Sequence, residues 1–144
     1  MSAKYLHYSY EQLKTFCMDA FQEFGFNSEE ARIITDVLLL SDLYGIESHG
    51  MQRLVRYHKG IEKGMIKVDA KPEIVFETPV SAVIDAHDAM GQLVSHQAMN
   101  LAIEKAKKTG MAIVSVRNSN HFGIAGYYAK MACDQGLIGM AMTN

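Results

Sequence analysis

The amino-acid sequence predicts an α/β chain, with a helical amino-terminal unit over residues 1–68 and the start of a mixed sheet-and-helix layer over residues 69–144. Three observations carry this. Up to Lys67 the apolar residues recur at helical spacing. After it come short runs rich in β-branched residues, punctuated by Thr78-Pro79. Finally, the apolar run 111–116 feeds a polar loop, 117–123, which opens another helix.

Taken in order, the first helix begins at a capping box: Ser9 accepts from the N3 amide while Gln12 reaches back. Leu13, Phe16, Cys17, Ala20, Phe21 and Phe24 form its apolar stripe, and Gly25 supplies the stop. Asn27 or Ser28 caps a second helix, with Glu29 and Glu30 near its positive end. Its stripe is Ala31, Ile34, Val37 and Leu38, and it ends near Gly45. A third helix is expected from about Ser48 to Ile61 or Glu62, closing before Gly64. Residues 73–77 and 81–85 read as strands, 91–108 as a helix ended by Gly110, and 111–116 as a strand. A helix over about 124–134 and a last strand from Leu137 complete the order β, β, α, β, α, β, an arrangement that favours parallel later strands.

Composition narrows the function classes. With 49% hydrophobic and 21% charged residues, the chain has the balance of a globular domain large enough for a core. Its formal net charge of -2, without a basic block, gives nucleic-acid binding no electrostatic support. The longest pure apolar run, 37–40, is too short for a membrane span, and no signal segment opens the chain, so a cytoplasmic location is expected. Cys17 and Cys133 fall on apolar helical faces and are expected to be buried free thiols. Neither an H-E-x-x-H pattern nor a cysteine cluster suggests a metal site, and no G-x-G-x-x-G or phosphate-loop motif occurs.

Two segments hold the candidate chemistry. In 47–53, Ser48 and His49 precede Arg53 and Tyr57, and on a continuous helix His49, Arg53 and Tyr57 share one face. A guanidinium can hold a carboxylate through two parallel hydrogen bonds while an imidazole handles a hydroxyl proton near neutral pH. In 117–123, His121 lies in a loop leaving the carboxyl end of a strand, the usual place for ligands in α/β folds. Asn118 and Asn120 flank it and can donate either to a substrate oxygen or to local turns. An exposed helix face and a helix-capping loop histidine are the plain structural alternatives for the two segments.

Ser48-His49-Gly50 with Arg53 and Tyr57, together with the run 118–127, resembles the type-2 malate/L-lactate dehydrogenase family, which also holds ureidoglycolate dehydrogenase and 2,3-diketogulonate reductase. The resemblance runs from about Tyr10 to Asn144. It implies a mixed-sheet, nicotinamide-dependent dehydrogenase domain that is not a Rossmann fold. It implies NAD or NADP as cofactor, a small 2-hydroxy or 2-oxo acid as substrate, and a homodimer. By the same analogy both histidines belong to the substrate site. His121 is favoured as proton carrier, with His49, Ser48 and Arg53 orienting the substrate and Tyr57 beside them. Family chains are well over twice this length, so the resemblance also implies that most of the cofactor site lies beyond Asn144 and that the chain is an amino-terminal portion. The competing reading is a binding or assembly module that kept the fold without the cofactor. The apolar residues Phe16, Phe21, Phe24 and 38–40, more than one stripe needs, add to the expectation of a dimer.

Overall fold

The computed structural model describes residues 6–143. Helix α1 (Tyr10–Glu23) starts at the Ser9/Gln12 capping box, and α2 (Ser28–Leu43) at a second box in which Asn27 accepts from the Glu29 and Glu30 amides and Glu30 reaches back. Helix α3 (Leu54–Glu62) follows two short 3₁₀ turns, Glu47–His49 and Met51–Arg53. Strands β1 (Glu73–Glu77) and β2 (Ser81–Asp85) form an antiparallel hairpin. Helix α4 (Gly91–Thr109) then leads to β3 (Ile113–Arg117), which runs parallel to β2, and α5 (Ala125–Cys133) closes the order. The sheet is ordered β1-β2-β3.

Two apolar clusters hold these elements. The first joins Phe21, Phe26, Ala31, Ile34, Leu38, Tyr57, Ile66 and Met90, so a residue from the sheet-bearing half fills the helical core. The second packs Val94 and Ala98 of α4 onto Ile84 and Ala86, with Val114 and Val116 beside them. Each fully buried Leu or Phe contributes roughly 1.5–3 kcal/mol relative to exposure. Phe21 and Leu38, both at 0% exposure, hold the α1–α2 pair on which α3 rests.

Four expectations need correction. The continuous helix from Ser48 does not form. Gly50 is extended (ψ -151°), and the Asp42 carboxylate lies where a Gly50 Cβ would stand, accepting from the Met51 amide at 2.8 Å. His49, Arg53 and Tyr57 therefore do not share one helical face. After β3 no further strand forms among the described residues: 137–143 has no partner ladder, although Gly139 packs against the α5 backbone at Ala129. Its expected end at Asn144 lies outside the described residues. Cys17 is buried, but Cys133 is exposed, because α5 turns Tyr128 and Ala132 inward and the next position around the helix faces out. Leu39 is not surplus to the fold either; it is 2% exposed, since α2 packs against both α1 and α4.

Candidate active site

The polar loop after β3 is fastened before it reaches His121. The Asp85 side chain, at the carboxyl end of β2 and 5% exposed, accepts from Asn118 Nδ2 at 3.0 Å, Arg117 Nε at 2.9 Å and the His87 amide at 3.1 Å. These contacts, led by the Asn118 bond, hold its carboxyl below the usual range. They also hold His87 and Asn118 at positive φ, and Asp88, likewise at positive φ, donates its amide to the Asn118 carbonyl at 2.9 Å. Asn120 donates its amide to three backbone carbonyls, those of Met65, Asp88 and Ala89, at 2.8–3.1 Å. Both asparagines thus spend their side-chain donors on the loop. On the far side, buried Tyr128 donates to the Phe122 carbonyl at 2.5 Å and stacks on the Phe122 ring.

Glycine 91 lets α4 approach this loop. A Cβ there would lie 2.2 Å from the Asn120 carbonyl oxygen and 2.5 Å from that of His121. The two backbones meet because the first residue of α4 has no side chain.

Helix α3 supplies the other wall. Tyr57, 2% exposed, places its hydroxyl 2.8 Å from His121 Nδ1. Gln92, 0% exposed on the first turn of α4, donates Nε2 to the same hydroxyl at 2.8 Å. The His49 ring lies against the His121 ring with centroids 5.1 Å apart, and Ser48 Oγ is 2.9 Å from His49 Nδ1. Arg53 folds back so that Nε donates to the Ser48 carbonyl at 2.5 Å, fixing the turn that carries His49. The two histidine segments, from opposite ends of the chain, therefore converge.

Electrostatics make His121 a neutral imidazole. Burial, then the positive charge of Arg53, the neighbouring His49 and Arg56 push its pKa down to about 4. Burial raises the Tyr57 hydroxyl to about 12, against the opposing effect of the Gln92 hydrogen bond. Tyr57 is thus a hydrogen-bonding group, not an anion, near neutral pH. The cluster can bind an anion at the guanidinium and exchange a proton at an imidazole. Among the described residues, no group of three or more His, Cys, Asp or Glu is placed to hold a metal ion, and no helix is long and apolar enough to cross a membrane.

Gln92, Gly91 and Asp85 are the residues that sequence reasoning missed. Gln92 stands at the head of the inward stripe of α4, where a polar residue beside Leu93 and Val94 was the available signal. Nothing in the sequence alone announces the Gly91 contact or the Asp85 hub.

The sequence profile of the malate/L-lactate dehydrogenase family matches residues 8–144. The chain is 49% identical over 140 residues to a malate dehydrogenase of Pyrococcus abyssi, covering 97% of this chain and 39% of that protein. It is 43% identical over 134 residues to an L-sulfolactate dehydrogenase of Methanocaldococcus jannaschii, covering 93% of this chain and 39% of that one. The solved structure of malate dehydrogenase from Pyrococcus horikoshii OT3 superposes with a TM-score of 0.90 at 45% identity, over 92% of this chain and 38% of the other. The chain thus spans about two fifths of the length of these relatives. With the match running from before α1 to the last residue, and the fold reproduced along it, the chain belongs to the malate/L-lactate dehydrogenase family.

Proposed function

We propose that this protein contributes the acid-binding and proton-transfer side of a nicotinamide-dependent oxidoreductase acting on small 2-hydroxy or 2-oxo acids. The observation that carries the reading is the convergence of a neutral His121, His49 and Arg53 at one place. Arg53 takes the substrate carboxylate and His49, placed by Ser48, orients the substrate. His121 accepts the hydroxyl proton in oxidation and returns it in reduction. The carboxylate offsets the charge of Arg53, one cause of the depressed His121 pKa, so binding raises that pKa toward neutrality.

NAD or NADP is the proposed cofactor, on family grounds. The described residues do not fit it as a cradle: their close glycine contacts are packing contacts, among them Gly91 on the His121 loop, Gly123 on Val37 and Gly139 on α5. No step here is therefore assigned to the cofactor. The finer proposals that accompany this reading are a domain that is not a Rossmann fold, a division near residue 68, a cytoplasmic location and a homodimer. Phe16, 56% exposed, and half-buried Phe24 and Leu40 remain the apolar residues that favour the dimer, which sedimentation tests. Asn118 and Asn120 contribute by shaping the loop.

The test of the substrate class is ligand titration followed by histidine side-chain NMR. L-Malate, L-lactate and sulfolactate are expected to shift the ring signals of His49 and His121 strongly, whereas succinate and propionate, which keep the carboxylate but lack the 2-hydroxyl, shift His121 clearly less. Equal shifts with succinate, or none with any hydroxy acid, overturn the reading.

A further inference from the structure

Gln92 is wholly buried, and its Oε1 has no hydrogen-bond partner among the described residues although its Nε2 donates to the Tyr57 hydroxyl. A buried, unpartnered amide oxygen destabilises this arrangement and so brings within reach a second one that uses it. The neighbouring hydrogen bonds show what the two arrangements are. With Gln92 Nε2 donating to Tyr57 Oη, the Tyr57 proton points to His121 Nδ1, 2.8 Å away, and the Gly123 amide also approaches Nδ1, at 3.4 Å. Nδ1 is then an acceptor, so the neutral ring carries its proton on Nε2, the ring nitrogen left without a partner among the described residues. An Nε2 that already bears a proton cannot accept one from a substrate hydroxyl.

We propose that Gln92 is a positioning residue whose amide, turned one way or the other, selects the tautomer of His121 through Tyr57. Turned by half a revolution, Gln92 presents Oε1 to Tyr57. The Tyr57 hydroxyl donates to it, and Tyr57 Oη accepts from His121 Nδ1–H. His121 Nε2 then holds a lone pair and can take the hydroxyl proton of a bound acid. The product, an imidazolium, keeps the same chain: Nδ1–H to Tyr57 Oη, and Tyr57 O–H to Gln92 Oε1. Protons balance throughout, since the ring gains one at Nε2 only when the substrate loses one. A glutamine suits this place because an amide offers both a donor and an acceptor on one rotatable group, whereas an aliphatic side chain offers neither. The charged groups facing His121 are Arg53 from the second 3₁₀ turn and Arg56 from α3, with titratable His49 from the first turn and Tyr57 from α3. None of them can replace Gln92 as an acceptor for the Tyr57 proton at its present position.

This inference rests on the proton-carrier role of His121, but its test reads ring chemistry directly and so fails separately from the substrate assignment. The full chain, labelled with ¹⁵N-histidine and ¹⁵N-glutamine, is titrated by NMR between pH 3 and pH 8. In the native protein, His121 near pH 7 is expected as the Nε2–H tautomer with a fraction of Nδ1–H, and the Gln92 side-chain amide signals move with the His121 midpoint. Gln92→Met is expected to abolish the Nδ1–H fraction and lower the His121 midpoint by about one pH unit, because the Tyr57 proton then has no acceptor other than Nδ1. In a Tyr57→Phe background the same substitution is expected to change neither. Gln92 amide signals that stay flat through the His121 titration, in the native protein and without any substitution, overturn the proposal. So does a Gln92→Met effect that persists undiminished when Tyr57 is phenylalanine.

Discussion

Gly91→Ala tests how the His121 loop is placed. Its Cβ would stand 2.2 Å, 2.5 Å and 2.7 Å from the Asn120 oxygen, the His121 oxygen and the His121 carbonyl carbon. All three are backbone atoms, so no rotamer change relieves them, and ordinary contact requires the loop or helix to shift by roughly 1 Å. Overpacking of this kind costs about 1–3 kcal/mol. Replacing glycine in a helix returns at most about 1 kcal/mol, and less than that in a first turn. The net loss of ~1–2 kcal/mol lowers Tm by about 3–6 °C for a chain of this size. The same shift loosens the packing around His121, whose burial is the main cause of its depressed pKa, so its midpoint rises from about 4 toward the ordinary histidine value. Gly126→Ala is the control: it lies in α5 with nothing within 4 Å of the added carbon, and it should hold or raise Tm. Melting followed by circular dichroism, with histidine NMR titration, reads both effects. A Gly91→Ala protein that melts no lower than the native one, with its His121 midpoint unmoved, would falsify the close-approach argument.

Three other outcomes are expected. Asn120→Ala removes the donor shared by the Met65, Asp88 and Ala89 carbonyls and should cost about 1–2 kcal/mol, seen as a lower urea midpoint; an unchanged midpoint would mean water replaces the amide without loss. Because the folded His121 pKa lies below its unfolded value, the unfolded state binds the extra proton between them. Stability from this group therefore falls as pH drops from about 6.5 to about 4 and levels below that. The drop in urea midpoint from pH 7 to pH 4.5 should be smaller for His121→Gln than for the native protein, and equal drops would remove His121 as the cause. In the complete enzyme, Arg53→Lys should raise KM on the order of 10- to 100-fold, since lysine cannot hold both the Ser48 carbonyl and a carboxylate; steady-state kinetics with several 2-oxo acids decide it.

Much of the scaffold was legible because local chemistry determines it. The capping box at Ser9 and a cap at Asn27 or Ser28 mark the starts of α1 and α2, the structure settling the second on Asn27, and both strands of the hairpin fall at the residues that their apolar runs mark. Pattern failed where a distant group intervened. Helical spacing from His49 to Tyr57 is real, but the Asp42 carboxylate interrupts it at Gly50, and no periodicity encodes that encounter. The strand expected at Leu137 had the right residues and no partner strand among the described residues. The two histidine motifs were visible as motifs. Their support was not, because Gln92 and Gly91 look like ordinary members of a helix until α4 is seen lying against the loop.

The bond between Tyr57 and His121 joins positions 64 apart in sequence, and that between Gln92 and Tyr57 joins positions 35 apart. Neither exists in any fragment that has formed only its own hairpin or helix pair. Long-range closure of this kind carries an entropic cost that local hairpins and helix pairs do not, so the constellation requires both loops to be closed. It is also among the first to vanish in a partial opening that separates the helical layer from the sheet, even while most amides stay protected from hydrogen exchange. The lowered pKa of His121 thus reports on the integrity of the whole assembly, and a half-folded chain would carry a histidine that titrates in the ordinary range.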